Sequence, residues 1–242
     1  MWPFGRKKPT GGPQRVGTSP GGSAMIRYGG HEFDKPQFGV LDEETVEWAK
    51  RREAVYEGFF GPCEQVFHEI LPLVPHIDVY QFKPGYKDRD FWTLVTSGIS
   101  DLPTSLPGSV SKDRARIDLV FYCDEPEERY LNMLRALAHF PHDNKTWLGL
   151  GHTMPNGNPP LPIFENTPNL DSFLFLPTFV KPDKWLGRQL QIEGCPVVLL
   201  WVVPITSKEC ALKLDKGMGA ICDLFDSVEH PFVFRGDRKS YV

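Results

Sequence analysis

The chain has 242 residues, a formal net charge of −4 and 24% charged residues. That length fits one large core, and the acidic balance supplies none of the basic field that nucleic-acid binding uses. The longest apolar run, Val197 to Val203, is strand-sized and far short of the roughly 20 residues of a membrane-spanning helix.

Residues 1–30 are rich in Gly, Pro, Ser and basic residues. They offer too little apolar surface to offset ordering entropy, so a flexible tail is expected there, with a single domain over 31–242. Met1-Trp-Pro-Phe-Gly-Arg-Lys-Lys lacks an apolar segment behind its basic residues, so no secretory signal is expected. The five cysteines are odd in number and contain no Cys-x-x-Cys pair. That fits reduced thiols in a cytoplasmic protein.

From Glu43 to Phe60 the positions Val46, Ala49, Tyr56 and Phe60 share a helical face. Gly61-Pro62 breaks this helix. Cys63, Val66, Phe67 and Ile70 repeat the helical spacing and predict a second helix, closed by Pro72 and Pro75. Ile77–Phe82 and Phe91–Thr96 read as paired strands around Gly85. Ser97 to Pro103 is a turn cluster. Ile117 to Tyr122 alternates, with Ile117, Leu119 and Phe121 on one side and Asp118, Val120 and Tyr122 on the other, which predicts a half-buried strand.

Tyr130, Met133, Leu134 and Leu137 mark a helix expected to end at Pro141. From His139 to Asn166 the chain is dense in Gly, Pro and Asn, yet it carries Trp147, Leu148, Leu150, Ile163 and Phe164. This predicts a long ordered loop packed on the scaffold, a class of segment that is usually functional. Beyond it, Phe173–Leu176 predicts a short strand. Gln189–Ile192 and Val197–Val203 flank a Glu193-Gly194 hairpin turn. Thr206-x-x-Glu209 is a capping box, opening one last helix with Ala211, Leu214, Met218, Ile221 and Phe225 on a face. Strands and helices mix without regular alternation, so the fold class is α+β, a mixed β-sheet flanked by helices.

Several constellations bear on chemistry. His139, His142 and His152, with Asp143, form a donor set that zinc accepts. No His-Glu-x-x-His supplies a general base, and imidazoles in such loops ordinarily bond backbone. Gly149-Leu-Gly151 lacks the third glycine of a nucleotide loop. Ser97, Ser100 and Asp101 could join a His in a triad, but no Gly-x-Ser-x-Gly elbow is present, and Ser and Asp in such clusters make turns. Cys63, Cys210 and Cys222 fall in predicted helices among apolar neighbours, and no activating base is nominated for any cysteine. Asn144-Lys-Thr146 matches the glycosylation acceptor, which has no use in a cytoplasmic chain. Aromatic, Pro and amide residues on a fixed loop suit protein recognition, and serve equally as core plugs.

The loop then becomes recognisable. Phe140-Pro-His142, Asn144, Thr146-Trp-Leu-Gly149, Gly151-His-Thr, Pro155-Asn-Gly and Pro159-Pro resemble the suppressor of fused (SUFU) domain family, most closely its bacterial single-domain members. Phe60-Gly-Pro, Val66-Phe-His-Glu69, His76-Ile-Asp-Val79, Thr93 to Gly98, Ser100-Asp-Leu-Pro103, Leu224-Phe-Asp226 and Asp237-Arg-Lys agree with it. The resemblance runs from about residue 43 to the end of the chain.

This resemblance implies a mixed α+β domain without a catalytic role. Animal members sequester Gli-type transcription factors, and bacterial members serve as immunity proteins against polymorphic toxins. Gli binding is not expected to carry over. The chain ends after one domain, and Gly151 stands where animal members carry an acidic residue before the histidine. His139 also stands where many relatives look basic.

The expected function is therefore a non-enzymatic, cytoplasmic protein-binding domain, a bacterial immunity protein. The alternatives are a regulatory sequestration factor and a metal-dependent hydrolase using the loop histidines. The expected partner is a protein, a toxin, with no nucleic acid, membrane, small-molecule substrate, metal or cofactor. Asp101, Phe140, His142, Trp147, His152, Asn156 and Asn166 are the candidate partner-binding or loop-organising residues.

Overall fold

The structure, a computed structural model, describes residues 13–28, 38–39, 42–181 and 183–242. Its centre is strand β6, Arg116–Cys123, beside the long β10, Cys195–Ile205, which runs parallel to it. Antiparallel strands extend the sheet from both. On one side lie β5 (Trp92–Ser97), β4 (Asp78–Phe82) and β3 (Cys63–Phe67). On the other lie β8 (Ser172–Pro177) and β7 (Thr153–Pro155). The short β9, Gln191–Ile192, turns back onto β10 through Glu193-Gly194, as the hairpin reading expects, but it is shorter than Gln189–Ile192 because Gln189 closes the one-turn helix α3, Leu186–Gln189. The fold is α+β, a mixed sheet with helices on both faces.

Alternation along β6 assigns the faces as the sequence predicts. Ile117, Leu119 and Phe121 enter one core, and Val120 and Tyr122 the other. The difference is burial, since every residue of β6 is buried, including Arg116 and Asp118. Parallel neighbours covered on both faces leave no solvated side.

Helix α1, Glu43–Phe60, covers the first core with Tyr56, Phe59 and Phe60. It starts on the Asp42 side chain, which accepts from Thr45 N–H at 2.8 Å. Helix α2, Glu128–Asp143, covers the second core with Tyr130, Leu131, Leu134 and Leu137. It runs past Pro141, because a proline in the final turn forfeits a single ladder bond. The Asn144 side chain also donates to the Phe140 carbonyl at 2.9 Å.

Two helix expectations change. Cys63–Phe67 is strand β3, and Ile70, which completed the helical spacing, is 97% exposed. A short apolar run satisfies either period, and pairing with β4 decides it. The last helix is two, α4 (Ser207–Lys216) and α5 (Met218–Ser227), hinged at Gly217 with φ of 89°. The capping box at Thr206 and Glu209 forms as expected.

Within the stretch expected as a tail, Gln14–Thr18 (β1) and Ala24–Arg27 (β2) pair as a hairpin. Gly21 N–H donates to the Leu214 carbonyl at 2.8 Å, and Lys213 Nζ donates to Ser23 Oγ at 2.9 Å. Tyr28 meets Phe140 edge-on, with ring centroids 4.9 Å apart. These partners lie far along the sequence, so local composition does not announce them. Residues 1–12 lie outside the described residues.

A buried guanidinium docks α1 on the sheet. Arg52, 1% exposed, donates from Nε to Ser97 Oγ (2.7 Å), and from Nη1 to Ser100 Oγ and Asp101 Oδ1 (2.8 Å each). Ser100 Oγ in turn donates to Asp118 Oδ2 at 2.7 Å. Gly98, between these serines, has φ of 115°, and a Cβ there would lie 1.9 Å from the His76 carbonyl oxygen. Only glycine fits that turn.

Removing the cation would leave Asp101 and Asp118 buried beside each other. Arg52→Met is expected to cost about 3–5 kcal/mol, the usual penalty for breaking a buried pair from one side. Urea unfolding beside the parent measures it. A loss under about 1 kcal/mol would mean that solvent reaches the carboxylates.

Candidate functional site

The long connection from Asn144 to Leu170 lies against β8 and the end of α2. Its residues are fixed mostly by backbone hydrogen bonds. Thr146 N–H donates to the Pro141 carbonyl at 2.8 Å, and Ser105 N–H to the Thr146 carbonyl at 3.0 Å. Leu148 is buried in the second core. Gly151 N–H donates to the Phe175 carbonyl at 2.7 Å, and Phe175 N–H to the His152 carbonyl at 3.0 Å. The chain therefore joins the ladder of β8 just before β7 begins.

Trp147 is half-buried. Its ring lies over Gly149, where a Cβ would fall 2.4 Å from Cζ3, and it meets His152 edge-on at 4.3 Å between centroids. The sequence leaves Trp147 as contact residue or core plug; its ring lies along the loop and does not enter the core.

Asn156 staples the next turn. Its Nδ2 donates to the carbonyls of Leu161 (3.0 Å) and Pro162 (3.1 Å), and its backbone N–H donates to Asp171 (2.8 Å). The segment closes on Phe164, which packs with Tyr130 and Phe234. Arg129 lies over the Phe164 ring and donates to Asn166 Oδ1.

The three loop histidines diverge. His139 Nε2 lies 2.6 Å from Glu69 Oε1, His142 Nε2 donates to the Ile99 carbonyl at 3.2 Å, and His152 faces Trp147. Burial pushes His142 down. It also pushes His152 down to about 4, helped by the charge of Lys213. Both are neutral at pH 7, and of the two it is the His142 ring that bonds backbone.

Of the candidate residues, Phe140, His142, Trp147, His152 and Asn156 thus face the loop and its supports. Asp101 sits apart, in the Arg52 network, where burial pushes its carboxyl up against the opposing pull of Arg52. Asn166 is exposed at the rim. Elsewhere the loop exposes Leu150 and Leu161, the latter 60% exposed, and the run Asn158-Pro159-Pro160.

Sequence reasoning missed Arg52, whose only signal was a charge on the apolar side of a helical pattern. It also passed over His68, His76 and Asp78. His76-x-Asp78 repeats at the strand period, which was the available signal.

Residues 74–239 match the family model described as suppressor of fused protein. Among solved structures, a SUFU homolog from Neisseria gonorrhoeae superposes with a TM-score of 0.59 at 18% identity, over 81% of this chain and 98% of that one. A Sufu–Fu complex gives 0.54 at 17% identity, over 86% and 93%. Drosophila Suppressor of Fused gives 0.51 at 15%, over 84% of this chain and 54% of that one. At these identities the superpositions speak to the fold. Comparison with curated protein sequences gives no significant match.

A histidine whose folded pKa is depressed binds fewer protons than it does unfolded, so stability falls as pH drops below the unfolded value. For His152 that loss runs from about 6.5 down to about 4. His230 is lowered to about 4 as well, mainly by burial. His152→Gln is therefore expected to flatten the decline between pH 7 and pH 4.5 without abolishing it. Urea unfolding across that range reads the slope; an unchanged slope would place His152 in water.

Proposed function

This chain belongs to the suppressor of fused family, and on that footing we propose that it is a non-catalytic, cytoplasmic protein-binding domain: a bacterial immunity protein that binds and neutralises a cognate toxin. The carrying observation is the loop from Asn144 to Leu170. Asn156 and Thr167 bond the loop's own backbone, and its rim offers proline, amide and apolar surface.

Such a rim suits a protein partner. Prolines hold their shape before contact, so little entropy is lost on docking, and Leu150 and Leu161 supply apolar area. The exposed rim, with Asn158, Leu161 and Asn166, takes the contact. Phe140, His142, Trp147, His152 and Asn156 hold the loop in shape. Asp101 serves the scaffold beneath. The divergence of the three loop histidines speaks against a hydrolytic metal centre on them. Regulatory sequestration is the second reading, favoured by the solved relative in complex with Fu.

The test pairs the chain with the product of a toxin gene beside its own. Co-expression is expected to restore growth, and the two purified proteins to bind at one to one. Leu161→Asp should weaken binding at least about 10-fold, since a charge enters a desolvated contact, with the thermal midpoint unchanged. Growth unrestored and no complex formed would overturn the immunity reading. An unchanged affinity in Leu161→Asp would move the contact elsewhere.

A further inference from the structure

A second cluster lies on the opposite edge of the sheet, in the β3–β4 connection. His76 and Asp78 enter β4 two residues apart, and so leave the chain on the same side. His68 follows the end of β3. Its Nδ1 lies 3.0 Å from Asp78 Oδ2, and His76 Nε2 lies 3.2 Å from Asp78 Oδ1. One donor atom from each of the three falls within 4.8 Å of the others. Tetrahedral zinc, with bonds of about 2.0–2.1 Å to nitrogen and oxygen, holds its donors roughly 3.3 Å apart. The two histidine contacts, at 3.0 and 3.2 Å, reach different oxygens of Asp78, and the three donor atoms lie within 4.8 Å of one another, so small side-chain rotations would draw the set to that spacing.

The surroundings are those of a ligand set held in place. Glu69 stands behind His76, with Oε2 3.9 Å from Nδ1. That same oxygen accepts from Ile77 N–H at 3.1 Å, and its other oxygen lies 2.6 Å from His139 Nε2. The Glu69 N–H donates to Asp78 Oδ1 at 3.1 Å. At 3.9 Å the Glu69 carboxylate is an electrostatic neighbour of the imidazole and not a hydrogen-bond partner, and it places negative charge on the side of His76 away from Asp78.

We propose that His68, His76 and Asp78 bind one zinc ion, with its fourth position open to solvent. His76 and Asp78 are mostly buried, whereas the His68 side chain is 69% exposed and closes over the ion from outside. Two imidazoles and one carboxylate form a donor set of the open zinc type. The ion joins the two ends of a connection that carries exposed Ile70, Leu71 and Val74. It also borders a groove lined by Val66, Phe67, Ile70, Leu131 and Arg135. Zinc thereby fixes the shape of this apolar edge. The expectation that the chain takes no metal was argued from His139, His142 and His152, and of these only His139 enters here, through Glu69.

The experiment titrates the chelator-treated full chain with Zn²⁺ alone, by calorimetry and thermal unfolding. One ion per chain and a midpoint that rises with free zinc are expected. His68→Ala, at an exposed position that keeps the fold, should weaken binding more than about 10-fold through the loss of one of three ligands. Cys222→Ser should bind as the parent does. Uptake below one ion per chain would overturn the proposal. So would parental affinity in His68→Ala, or uptake that is lost with Cys222.

Discussion

The enclosed Arg52 guanidinium sets how the first helix meets the sheet. Five polar groups converge on it or on its carboxylates: Ser97, Ser100, Asp101, Asp118 and Thr96, whose Oγ1 donates to Asp118 at 3.4 Å. Burial by itself would depress the guanidinium, and the carboxylates of Asp118 and Asp101 reverse that and push it up. Burial pushes Asp118 the other way, up to about 7. The guanidinium keeps its charge, since arginine holds its proton far above neutrality. A buried network of this kind adds little net stability over an apolar plug, but any slide of α1 by one turn would leave charge unpaired. It selects one docking among several that the aromatic face of α1 would otherwise allow.

Two further arginines repeat the device at other seams. Arg89 reaches across to Asp183, which also accepts from the Tyr122 hydroxyl at 2.6 Å. Arg238 grips Glu209 at 2.7 Å with each terminal nitrogen, and donates to the Pro204 carbonyl as well. Glu209 also completes the capping box of α4. The C-terminal segment is thus tied to the start of α4 and the end of β10. Each bond runs between elements distant in sequence, so the sheet is held by apolar burial and indexed by these few charges.

The loop and the histidine cluster divide two kinds of work. In the loop, polar side chains satisfy backbone that glycine and proline leave without regular partners, which makes a stiff rim. In the β3–β4 connection, imidazoles and carboxylates face one another and leave donor atoms accessible. The first arrangement suits surface recognition, and the second suits an ion. The sheet separates them, with β7 at one edge and β3 at the other.

Periodicity alone located α1, α2, the β4–β5 pair, the faces of β6 and the capping box at Thr206, because each depends on residues within a few positions of one another. The motifs around His142, Trp147 and His152 were enough to place the chain in its family. The rest depended on partners far along the chain. Cys63–Phe67 became a strand because β4 lies beside it, and the hairpin of β1 and β2 found its supports in Lys213, Leu214 and Phe140. Trp147 lies along the loop because Gly149 leaves room there. Asp101 read as a turn residue or a contact, and only the approach of Arg52 made it a buried counter-charge. A sequence records which side chains can pair, whereas burial and proximity, which decide which of them do, arise only when the sheet closes.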